Sequence, residues 1–510
     1  MEKFFEQLTS INSAINDFVW VRIGLILLIG AGIIMTCCTR FFQLTHLRHW
    51  WKETICSIFA KDSDATKKTD RKSISQFQSL CTALAATIGT GNIAGVSAAI
   101  VIGGPGAVFW MWGAAFFGMM TNFSENVLGI YFRRRNKDGE WSGGAMYYLK
   151  DGLGSYKHCK TAGSVLAVLF AIFAVLASFG IGNMGQINKI TLNLESAFFK
   201  NVNLGQFLGM DVLHLIIGVV LMVIAALIII GGLQRIASVA ERIVPFMAIF
   251  YVIGALVVFF MNIQNVGAIF ASIFRFAFGV EAVAGGAAGI AISQVITQGC
   301  KRGVFSNEAG LGSSVMVHSS SNVREPVRQG MWGIFEVFFD TFVVCTMTAI
   351  VVLSSGYIDL NTGLAAEGVN DATLVSQAFG DAFGPVGEMF VAIAMLLFAF
   401  TTVLGWSQYG TKAVEYLFGS RGVKVYKVIF VVMIISGAVM TSSLAWDISD
   451  TFNGLMMIPN LIGVVALCPL VAKITGNYIS RKLKGEAPDP ILSYDAATQE
   501  EMAAVEETAE

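Results

Sequence analysis

ATIGTGNIAG, residues 86–95, decides how this chain folds. Gly89, Gly91 and Gly95 sit there among Thr87, Thr90 and Asn92, in the middle of an otherwise apolar stretch, 76–102. That stretch is long enough to cross the roughly 30 Å of hydrocarbon in a bilayer. Glycine costs a helix about 1 kcal/mol relative to alanine, so three of them at mid-depth predict a helix that unwinds. Inside a membrane an unwound backbone survives only where protein or an aqueous cavity satisfies its polar groups. A second stretch, GVEAVAGGAAG (279–289), gathers four glycines around Glu281 in the apolar segment 278–298. Close helix packing explains a single glycine well. Two dense interruptions, 196 positions apart from Gly89 to Gly285, favour a pair of broken helices.

The composition sets the surroundings. Of 510 residues, 55% are apolar and 14% charged, and the mean hydropathy is +0.67. A water-soluble surface of this size needs far more charge, so the chain reads as an all-α multi-pass membrane protein. About 11 transmembrane helices are predicted, at 19–39, 76–102, 106–131, 161–190, 212–232, 242–263, 278–298, 329–354, 384–410, 424–442 and 453–473. Basic residues cluster from Arg40 to Lys72, in RRRNK (133–137), at Lys301 and Arg302, and from Lys473 to Lys484. The positive-inside rule puts all these loops in the cytoplasm if the N-terminus lies outside and the C-terminus inside. An interfacial helix is expected at the N-terminus, where Phe4, Leu8, Ile11, Ile15 and Phe18 share a face. The acidic tail, 485–510, lacks apolar periodicity and is expected to be disordered. The eight cysteines are scattered and read as small apolar side chains, not as disulfides or metal ligands. The five histidines fall in predicted loops or at span ends, which disfavours a metal site within the membrane. A net charge of −1, with the basic residues in short loops, argues against a nucleic-acid partner.

Residues 1–75 then form an added segment, one extra span and a basic loop. The two interrupted segments each begin a set of five spans, 76–263 and 278–473. An odd number of spans per set inserts the second set upside down. Interrupted spans at corresponding positions of two inverted halves mark a transporter binding site. Freed N–H groups at a half-helix N-terminus suit a carboxylate, and freed carbonyls suit an ammonium group or Na⁺. A zwitterionic amino acid presents both charges, so two breaks can hold it without a buried Arg or Lys.

ATIGTGNIAGV (86–96), GGPGAVFWMWGAAFFG (103–118) and FSNEAGLGSS (305–314), in that order, resemble the alanine or glycine:cation symporter family, with the likeness running from about 15 to 480. The resemblance implies a leucine-transporter-like fold, five plus five inverted helices, in a prokaryotic cytoplasmic membrane. It implies import of alanine or glycine coupled to Na⁺, with no other cofactor and no obligate protein partner. By position in that family, the N–H groups of Gly89, Thr90 and Gly91 receive the substrate carboxylate. Ala284, Gly285 and Gly286 offer carbonyls to its amino group. Thr401 and Thr402, in FAFTTVLGW (398–406), resemble the hydroxyl pair that completes a Na⁺ site with the carbonyls of Ala85 and Ile88. The competing reading is that each threonine bonds back to its own helix. Trp406 resembles a pocket-lining residue whose indole leaves room only for a methyl or a hydrogen; an interfacial anchor is the alternative. Phe179, Asn183 and Gln186, at i, i+4 and i+7 in FGIGNMGQIN (179–188), look toward the cavity or hydrogen-bond a neighbouring helix.

Glu125, Glu281, Glu336 and Asp340 fall within or near spans, where acids are functional candidates. They read as gates or structural charges, with Glu281 paired to Lys189, and Glu336 and Asp340 on one face as a cation relay or simply near a span end. An enzyme is disfavoured, since neither H-E-x-x-H nor G-x-S-x-G occurs, and ATP-driven transport lacks its G-x-x-x-x-G-K-[ST] loop. A channel lacks its polar file or charged ring. H⁺ coupling, carried by the intramembrane acids, is the alternative to Na⁺, and alanine, glycine and serine stay unranked.

Overall fold

The computed structural model describes residues 2–60, 65–67, 72–278, 291–369, 371, 373–440 and 444–507. Glu281, Ala284, Gly285 and Gly286 lie outside the described residues, and with them the expected Glu281–Lys189 pair and the glycine-rich break of the seventh span. The described chain is almost entirely helical. Two short hairpins interrupt it, Arg134–Arg135 with Trp141–Ser142 and Gln206–Phe207 with Met210–Asp211.

Seven helices among the described residues are long and apolar enough to cross a membrane: Thr9–Cys38, Lys160–Phe198, Val212–Ile229, Gly232–Met261, Pro326–Ser354, Pro385–Val439 and Asp447–Ala466. The bent pair Gln76–Thr87 and Gly91–Gly103 makes an eighth. The all-α membrane architecture is as read from composition, but the count of eleven is not established. The third expected span forms as one helix, Gly106–Tyr131, which Trp, Gly and Asn keep less apolar. The ninth and tenth are one helical run turned at Gly419, where φ is 68°. At the N-terminus helix Glu2–Asp17 runs through the π turn Phe18–Gly24 into Leu25–Cys38.

The seventh span differs most. Its described helix is Ile292–Asn307, followed by a break and the single turn Val315–His318. Lys301 and Arg302 therefore stand in a helix, not in a basic loop. Lys301 Nζ lies 3.0 Å from Asp450, so its charge is answered inside the protein and never marked a loop. Two further expectations are corrected. Cys38 and Cys468 are joined as a disulfide across 430 positions, so these two are not merely small apolar side chains. The tail is ordered: Gln499 Oε1 accepts the amides of Leu492 and Ser493, Leu492 packs with Trp141 and Met502, and Ala496–Glu507 is helical. One apolar anchor was too little periodicity to show in sequence.

Packing encloses the bent pair. Gln76–Thr87 lies against Gly232–Met261 and Pro385–Val439, and Gly106–Tyr131 packs on Ile292–Asn307 and Pro326–Val337. Large apolar side chains such as Ile26, Leu227 and Val428 are mostly exposed, as a surface solvated by lipid tails requires.

Candidate binding site between two helix breaks

Ser75 caps Gln76–Thr87 through reciprocal bonds with Gln78, at 3.1 and 3.3 Å. This capping box starts the helix cleanly. It stops at Ile88, whose ψ of 93° is extended, and resumes in the π turn Gly91–Gly95 after a bend of 54°. Regular i to i−4 bonding would close the amides of Gly89 and Thr90 onto Ala85 and Ala86. They turn elsewhere: Gly89 N–H donates to Asn92 Oδ1 at 2.9 Å, and Thr90 N–H to Gln186 Oε1 at 3.3 Å. A Cβ on Gly89 would stand 2.5 Å from Thr402 Oγ1, so the close approach of the two helices needs glycine here.

The second break follows Asn307. Glu308 is left-handed with φ 56°, and Gly310, at φ 93°, continues the unwinding. Asn307 Oδ1 accepts the Ala309 amide at 3.0 Å, a side-chain turn in place of the helix. Asn460 braces the break from the side, donating to the Gly310 carbonyl at 2.9 Å and to Glu125.

A small cavity lies between the breaks. Its walls are Ala86, Thr87, Gly89, Gly91, Ile181, Gln186, Phe305, Glu308, Thr402, Trp406 and Asn453. Glu308 is buried, and its carboxylate accepts Trp406 Nε1–H at 2.9 Å and the Ser313 hydroxyl at 2.6 Å. The Thr402 hydroxyl lies 3.4 Å from the Ile88 carbonyl and 3.0 Å from that of Phe398. Ala85 is buried one turn before Ile88. Thr90 and Gly91 also line an adjoining space with Lys189, Arg302 and Asp371.

The structure thus brings Gly89, Gly91, Gln186, Thr402 and Trp406 to one place. It does not bring Thr401, Phe179 or Asn183 there. Thr401 donates to the carbonyls of Leu397 and Phe398 at 2.9 Å and lies against Met247. The Phe179 ring lies tilted against that of Tyr426, 5.3 Å between centroids, and Asn183 Nδ2 donates to the Phe430 carbonyl at 2.6 Å. The cause is the π turn Gly180–Met184. An extra residue in that turn rotates the helix before it against the helix after it, so i, i+4 and i+7 no longer share a face.

Asp340 ties the two breaks together, accepting from Asn92 Nδ2 at 2.6 Å and Ser306 Oγ at 2.8 Å. Glu336 faces His318 Nε2 at 2.9 Å, and both are wholly buried. His318, expected in a loop, ends the single helical turn Val315–His318. Sequence reasoning missed Glu308, Asn92 and His318. FSNEAGLGSS held the signal: an acid followed by two glycines between helical segments. Among the described residues no three His, Cys, Asp or Glu gather to hold a metal; the oxygens near the first break are carbonyls, hydroxyls, the amide oxygens of Asn92 and Gln186 and the Asp340 carboxylate.

Two helix breaks facing each other inside a membrane-spanning bundle define the architecture of a transporter. The fold agrees with that of MhsT, solved in complex with L-phenylalanine, at a TM-score of 0.51 and 15% identity over 80% of this chain and 99% of that one. The model of the sodium:alanine symporter family matches residues 5–491. Over 470 residues the chain is 43% identical to the sodium/alanine symporter AgcS of Methanococcus maripaludis, covering 91% of this chain and 96% of AgcS. It is 35% identical over 497 residues to the probable sodium/glutamine symporter GlnT of Bacillus subtilis, covering 97% and 95%. The chain belongs to the sodium:alanine symporter family.

Proposed function

We propose that this protein imports a small neutral amino acid, alanine or glycine, together with Na⁺ across a prokaryotic cytoplasmic membrane, with its N-terminus outside and its C-terminus in the cytoplasm. The observation that carries the reading is the cavity where the unwound backbone at 88–91 meets Gln186, Glu308, Thr402 and Trp406. The substrate carboxylate replaces Gln186 Oε1 as acceptor of the Thr90 N–H, where the outer half-helix begins and its dipole favours an anion. The ammonium group lies toward Glu308 and the second break. Trp406, Phe305 and Ile181 fill the remaining space and admit a hydrogen or a methyl. Na⁺ takes oxygens from the carbonyls of Ala85 and Ile88 and the hydroxyl of Thr402. Alternating access then rocks the two five-helix halves about this site. The 43% identity to a sodium/alanine symporter, against 35% to a probable sodium/glutamine symporter, supports the choice of substrate.

The buried acids Glu308, Glu336 and Asp340 favour H⁺ as a second reading of the coupling ion. Equilibrium binding of labelled alanine to the purified protein separates the two. Linkage requires that Na⁺ tighten alanine binding as much as alanine tightens Na⁺ binding, typically about 5–150-fold. Binding strengthened by Na⁺ relative to choline is expected. Binding indifferent to Na⁺ but dependent on pH would transfer coupling to the acids. No binding of alanine or glycine under either condition would overturn the substrate assignment.

A further inference from the structure

The basic hairpin after Gly106–Tyr131 forms one wall of a cleft of about 690 Å³. Arg134, Arg135 and Lys137 come from the hairpin, Lys150 from the turn Tyr148–Gly152, and Arg421 from the helical run just past Gly419. Five cations face one space. Two acids, Asp138 and Glu415, line it as well and answer only part of that charge. Glu415 is committed to Lys412 at 3.3 Å, Asn136 at 2.8 Å and Ser142 at 2.6 Å. Arg134 pairs with Asp151, and Arg135 lies 4.0 Å over the Trp141 ring. Lys137 and Arg421 make no ion pair among the described residues.

One lip of the cleft is apolar. Phe418 is 71% exposed, and Val425 and Val428, at 62% and 66%, continue from it along the helix after Gly419. The cleft is cationic inside and apolar where the lipid-facing surface begins. That combination fits an amphiphile, with its phosphate among the cations and its acyl chains along the valines. A free anion uses the cations and leaves the lip unused. Basic pockets between transmembrane helices are known to hold anionic headgroups. We infer that this cleft binds the phosphate of an anionic glycerophospholipid.

Native mass spectrometry of the full-length protein, released from micelles containing phosphatidylglycerol or phosphatidylcholine, tests the inference. The triple variant K137Q/K150Q/R421Q is compared with R40Q/R48Q/K52Q, which removes the same charge from another basic loop. All six side chains are exposed, so both variants keep the packing of the bundle. The expected result is phosphatidylglycerol retained at least about tenfold over phosphatidylcholine, lost in the cleft variant and kept in the control. Excess inorganic phosphate should not displace it. Equal retention of the two lipids, or equal loss in both variants, would overturn the site. Displacement by inorganic phosphate would make it a site for soluble anions and overturn the lipid assignment.

Discussion

Adjacent residues on a helix point about 100° apart, and the two threonines of FAFTTVLGW show the consequence. Thr402 reaches the first break, while Thr401 satisfies itself on Leu397 and Phe398. Replacing Thr402 with Ala is expected to raise the half-saturating Na⁺ concentration for alanine uptake roughly fivefold, the scale of one lost polar contact of about 1 kcal/mol. Thr401→Ala should change it less than about twofold on the same argument. Equal shifts in both variants would contradict the assignment. Glu308→Gln keeps a side chain of the same size against Trp406 and Ser313 but removes the charge. Folded yield should hold while the KM for alanine rises by about tenfold or more, as expected for a charged hydrogen bond worth about 1.5–3 kcal/mol; an unchanged KM would remove Glu308 from the substrate site. Glu308 does not stand out in the sequence, because it follows the expected span 278–298 where a loop is predicted. Its left-handed backbone, which places it in the cavity, leaves no mark in composition.

Among the helices, glycine density located the first break correctly, because Gly89 and Gly91 interrupt a stretch with no other reason to bend. The same logic pointed to 284–286 for the second break, in the seventh span, where the residues are not described, and passed over 308–314. Lys301 helped to hide 308–314, since a charge paired inside the protein reads in sequence like a loop charge. The π turns were equally invisible, because they come from packing of whole helices and not from a residue type. Their effect on register is testable. Asn183→Ala loses the bond to the Phe430 carbonyl and should lower thermal stability by about 1 kcal/mol with the alanine KM unchanged. Gln186→Ala should alter that KM, because its amide oxygen holds the Thr90 N–H. A KM effect from Asn183 equal to that from Gln186 would restore the regular-helix face.

For the molecule as a whole, 14% charge over 510 residues already required a membrane, and the three long strings around the two breaks already pointed to the family. What composition could not show was long-range closure. The tail looked free because its fold rests on few contacts, chiefly Leu492 against Trp141 and the Gln499 bonds to Leu492 and Ser493. Limited proteolysis of the purified protein should leave 485–495 intact, and Leu492→Asp should open that segment to cleavage. Rapid cutting of the unmodified chain there would mean the tail does not dock.

If the two breaks form one site where a small amino acid and Na⁺ bind together, a Na⁺ gradient alone must drive uptake. The decisive experiment is accumulation of labelled L-alanine in liposomes holding the purified protein, under an inward Na⁺ gradient, with choline and an imposed pH gradient as controls. The expected outcome is accumulation with Na⁺ alone, shifted to higher alanine in Glu308→Gln and to higher Na⁺ in Thr402→Ala. Accumulation driven by the pH gradient without Na⁺, or none under any gradient with folded protein present, would contradict the shared site.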